Sequence, residues 1–142
     1  MGAWGIGIFD DDTAYDFFDD IEADAPGFFA RSFRTATAAD YLEYDDGIAA
    51  LVSAAYLDNL LNGTTYKHEN GEEEGPANVN RFAEYYSGPS LRHLVPAAVE
   101  AVRSVRTGNS ELRELWEENE EDYPSWQATL EALEERLSVA SR

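Results

Sequence analysis

Residues 48–61, IAALVSAAYLDNLL, decide the fold. Alanine and leucine dominate the stretch, both are strong helix formers, and the run is longer than an ordinary strand. Only Ser53, Asp58 and Asn59 interrupt an apolar surface that otherwise covers nearly every side, and a helix apolar all round is a buried one. Asp45 and Asp46 stand where they can cap its start, and Gly63 stands where a C-terminal glycine belongs. A helix enclosed on all sides needs other elements around it, so the flanking sequence is read for partners.

Upstream, Ala14, Phe17, Phe18 and Ile21 share one face at helical spacing behind Asp12, a good N-cap, which predicts a helix over 13–23. Pro26 suits the first position of a second helix that carries Phe29 and Phe33 to about Ala36. Downstream, residues 63–78 hold Gly, Asn, Glu and Pro without periodicity and read as one long loop. Val79, Phe82, Ala83 and Tyr86 recover helical spacing before Gly88 and Pro89. A stripe from Leu91 to Val105 follows, in which Pro96 either kinks the helix or marks its start. Ser110 can cap a helix with Leu112, Leu115 and Trp116 on one face, and Trp126, Leu130, Leu133 and Leu137 line the last. The expectation is an all-α, single compact domain over 1–142, of five to seven helices packed on 48–61. Its ordered Gly-rich N-terminal arm, residues 1–12, lays Trp4 into the core.

Composition narrows the function classes. The net charge of −19 repels nucleic-acid phosphates and anionic lipid, so no nucleic acid and no membrane is expected as partner. No apolar run approaches the roughly 18 residues of a membrane span, and the first residues lack the basic and apolar regions of a secretory signal, which predicts a cytoplasmic protein. Cysteine is absent, which removes disulfides, thiolate nucleophiles and Cys-based metal sites. Lys67 is the only lysine against nine arginines, and with the excess of Asp and Glu this bias resembles proteins of salt-loving organisms. A dense carboxylate surface stays hydrated in concentrated salt, where screening acts over a few ångström.

The opening MGAWGIGIFDDDTAYD, residues 1–16, resembles the start of a largely bacterial family known as domain of unknown function 4259, whose members begin MGxWGxGxF followed by an acidic pair. NSELRELWE, residues 109–117, looks like its second signature, and Trp126 with Leu133 and Leu137 resembles its last helix. The resemblance covers both ends of the chain and implies no activity or catalytic residue. Asp12 and Asp16 match the usual pattern, whereas many relatives have Asn at Asp11 and Trp at Phe17.

Asp12, Asp16, Asp19 and Asp20 recur at helical spacing with Asp10 and Asp11 just upstream. Oxygen-only ligands of this type suit Ca, Mg or Mn, which makes Asp12, Asp16, Asp10 and Asp20 the candidate metal set; the alternative is a capped, solvated helix face. Gly2, Gly5 and Gly7 lack the preceding strand and the Gly-Lys-Ser/Thr of a phosphate loop, and pack more simply around Trp4. His68 and His93 belong to no recognised catalytic pattern. Glu111 and Glu114 beside Trp116 could form an acid against an aromatic wall, but first-turn acids and a core tryptophan explain them as well. Trp4, Gly5, Phe9 and Trp116 are the candidate pocket or signature residues. The sequence thus favours a small non-catalytic binding or interaction module with a protein partner or self-association, and no cofactor. A divalent-metal-dependent, hydrolase-like enzyme built on Asp12 and Asp16 is the alternative.

Overall fold

The computed structural model of the chain describes residues 5–67 and 78–140. The expected anchor Trp4 and the loop residue His68 lie outside these. The described residues form α1 (Phe18–Ala38), α2 (Tyr44–Asn62), α3 (Phe82–Tyr85), α4 (Val95–Thr107), α5 (Glu111–Glu117) and α6 (Tyr123–Ala140). Single 3₁₀ turns lie at Asp12–Tyr15, Val79–Arg81 and Arg92–Leu94, and there is no strand among the described residues.

α2 is the hub. Every residue from Gly47 to Asn59 is buried, and the helix touches α1, α3, α4, α5 and α6. Gly63 ends it at φ 73°, a left-handed conformation that costs glycine little, and returns its N–H to the Asn59 carbonyl at 2.8 Å. α4 lays Val95, Ala98, Ala101, Val102 and Val105 inward, and packs on both α1 and α6. Pro96 falls in its first turn, where the missing N–H has no partner to lose, so the proline starts the helix and does not kink it.

The start of the chain differs from the sequence reading in register. Asp11 is the N-cap, with Oδ1 accepting the Thr13 N–H at 2.8 Å, and the turn that follows is 3₁₀. The two expected helices are two arms of α1. They meet at Asp24, whose φ −161°, ψ 79° is extended, and whose Oδ1 accepts the Gly27 N–H at 3.1 Å as an N-cap of the second arm. Pro26 falls in the first turn behind that cap, one position after the first that the sequence suggested.

α2 is also tied at its start. The Leu42 N–H donates to the Asn109 carbonyl, the Glu111 N–H to the Leu42 carbonyl, and the Tyr44 N–H to Glu111 Oε1 at 3.0 Å. A carboxylate of α5 thereby satisfies the first turn of α2, in place of Asp45 or Asp46.

Candidate functional site

At the bend of α1 around Asp24 lies a groove of about 530 Å³. One wall is α1 from Ile21 to Pro26, and the other is Phe82 with the turn Tyr85–Pro89. Phe82 is buried and stacks on Tyr86, ring centroids 5.4 Å apart and planes 28° apart. The Tyr86 hydroxyl donates to the Pro89 carbonyl at 2.6 Å, and burial pushes it above its ordinary pKa. Gly88 makes room for this ring, since a Cβ there would lie 2.7 Å from the Tyr86 oxygen. Tyr85 stands beside it, 48% exposed. The exposed carboxylates of Glu22 and Asp24 stand on the opposite wall, and no Lys, Arg or His lines the groove.

The residues singled out as metal ligands do not converge. Asp12, Asp16 and Asp20 are exposed, while Asp10 folds back so that its Oδ2 accepts the Gly7 N–H at 3.2 Å. Asp11 is buried and accepts a hydrogen bond from the Tyr44 hydroxyl. Among the described residues no group of three or more His, Asp or Glu is arranged to hold a metal ion.

Gly5 and Trp116 do meet. They line a cavity of about 20 Å³ with Asp11, Leu112 and Trp126, room for one water. Trp116 and Trp126 stack there at 6.1 Å and 15°. Phe9 belongs elsewhere, in a ring cluster with Tyr15, Tyr56 and Tyr66. Glu111 is occupied as the cap of α2, Glu114 is exposed and accepts from the Tyr41 hydroxyl, and His93 is exposed in a 3₁₀ turn.

Two groups escaped the sequence reading. Asp58, an interruption in the apolar run, is wholly buried and accepts hydrogen bonds from Arg136 Nε at 2.8 Å, the Tyr66 hydroxyl at 2.6 Å and Asn62 Nδ2 at 2.7 Å. The groove residues Glu22, Asp24, Tyr85 and Tyr86 were also missed. Their signals were Asp24 three residues before Gly27 and an aromatic pair just before Gly88-Pro89.

Fold and groove define an all-α protein with an open cleft, aromatic on one side and acidic on the other. The chain belongs to the family described as Domain of unknown function (DUF4259), whose profile matches residues 2–129, as its opening residues imply. No curated protein and no solved structure matches it. No described helix is long and apolar enough to cross a membrane.

Proposed function

We propose that the protein is a small non-catalytic binding module of the cytoplasm, and that the groove between the bend of α1 and the Tyr85–Pro89 turn is its site. The observation that carries this reading is the construction of the groove. Stacking, a hydroxyl-to-carbonyl bond and a glycine hold the Tyr86 ring in place, and a concave site with a few polar groups fixed by the fold is how binding sites are generally made. The net charge of −19 supports a partner that is neither nucleic acid nor anionic lipid.

A fragment screen read by amide and tyrosine-ring NMR shifts tests the reading. Hits clustered on residues 21–26 and 82–89 are the expected result. Hits that cluster elsewhere, or ion-specific shifts centred on Asp12 and Asp16, would overturn it.

A further inference from the structure

Resting on that reading of the groove, we propose that its occupant is an arginine side chain presented by an extended segment of a partner protein. Charge complementarity sets the sign. Glu22 and Asp24 line the cleft, where Arg31 approaches Asp24 only from the Gly27 side and no cationic residue belongs to the lining, and the rest of the molecule carries a large negative excess that draws cations toward it. The second wall sets the shape. Tyr85, 48% exposed, offers a π-face beside Tyr86, whose ring is already stacked on Phe82, and such a face attracts a cation lying within about 6 Å of the ring centroid.

A planar guanidinium satisfies both walls at once, because it stacks flat on a tyrosine while its edge forks toward a carboxylate. An ammonium is a more strongly hydrated point charge without a flat face, so lysine uses only part of the site. The apolar floor of Ile21 and Phe82 suits the three-methylene stem of arginine. About 530 Å³ exceeds the volume of one side chain, which leaves room for the backbone on either side of it.

The test is an NMR titration of the full chain with three capped pentapeptides, identical but for a central arginine, lysine or neutral citrulline. The arginine peptide is expected to move the Tyr85 and Tyr86 ring signals together with the amides of residues 22–27, and to bind more tightly than the lysine peptide. The citrulline peptide is expected to leave these signals in place. Glu22→Gln with Asp24→Asn should weaken the arginine peptide about tenfold, since it removes both charge-assisted contacts. The Asn retains an oxygen for the Gly27 N–H, so the bend survives. Glu120→Gln with Glu121→Gln removes the same charge from an exposed turn and should change the affinity little.

Equal weakening by the two double variants would show general attraction to an acidic protein and overturn the proposal. Equal binding of arginine and lysine peptides would overturn the guanidinium assignment. Binding of citrulline at the groove would overturn the charge argument while leaving the groove a binding site. If neither peptides nor fragments touch the groove, the functional reading fails with it.

Discussion

Arg136 of α6 places its Nε 2.8 Å from Oδ2 of Asp58, a carboxylate of α2 with no exposed surface, and so ties the last helix to the central one. Tyr66 closes the triangle, donating to the same oxygen while its own oxygen lies 3.3 Å from an Arg136 guanidinium nitrogen. Removing the cation leaves a buried negative charge with neutral donors only. Arg136→Met is therefore expected to destabilise the fold by roughly 3 kcal/mol, the low end for breaking a buried pair, because Tyr66 and Asn62 still donate. Urea unfolding measures it, and a loss below about 1 kcal/mol would mean that water replaces the guanidinium.

The same triangle makes stability fall at high pH. Burial first, then the Asp58 charge, push the Tyr66 hydroxyl far above its ordinary value of 10.0, and burial does the same to Tyr56. Below pH 10 the folded and unfolded chains both keep these protons, and stability is at its full value. Above it the unfolded chain releases protons that the folded chain retains, so stability declines as pH rises toward the folded values, by about 1.4 kcal/mol per pH unit for each such tyrosine. Tyr66→Phe should be less stable at about pH 9, having lost a donor to Asp58, yet show a shallower decline above pH 10. An unchanged slope in the variant would mean that Tyr66 titrates as an exposed phenol.

These contacts also mark what the sequence could and could not reveal. Residues 48–61 read correctly because an all-round apolar helix has only one place to be, and Pro26, Gly63 and Ser110 read correctly because their signals are local. Asp58 did not, because two of its three partners, Tyr66 and Arg136, stand 8 and 78 residues away and only packing brings them together. The shift of the cap from Asp12 to Asp11 has the same origin. Three consecutive aspartates have equal local propensity, and the Tyr44 hydroxyl, 33 residues on, selects the one that is buried. The groove was hidden for a like reason, since its two walls come from segments far apart in the chain.

Glu111 caps α2 from another helix, which predicts an effect larger than that of a first-turn acid on a surface. Glu111→Ala should cost about 1 kcal/mol, as loss of an N-cap does, whereas Asp45→Ala and Asp46→Ala, both exposed, should each cost less. Thermal melts of the three variants rank them, and a larger loss at Asp45 or Asp46 would reverse the assignment.

Asp12 and Asp16 are exposed and share no third ligand arranged for a metal among the described residues, so calcium, magnesium and manganese at millimolar concentration should shift the melting temperature alike. Asp12→Asn with Asp16→Asn should respond as the unaltered chain does. A specific site would instead add about 2.7 kcal/mol at a hundredfold excess of ion over its Kd. An ion-selective gain lost in the double variant would establish the metal site and restore the hydrolase reading.

The charge distribution makes salt a stabiliser. Glu117, Glu118, Glu120, Glu121 and Asp122 crowd one exposed segment, and the whole chain carries −19, so in dilute buffer the folded state bears strong self-repulsion. Arg106 with Glu134 at 2.6 Å is only 16% and 9% exposed in its two side chains, and salt screens such a pair much less than it screens surface charges. Added potassium chloride thus removes repulsion faster than attraction. Melting temperature should rise steadily from dilute buffer to molar salt, and the rise should shrink in a Glu118→Gln, Glu120→Gln, Glu121→Gln variant that starts with less repulsion. A flat or falling curve would show that the acidic surface is no adaptation to salt, and that the carboxylates are spaced widely enough to tolerate water alone.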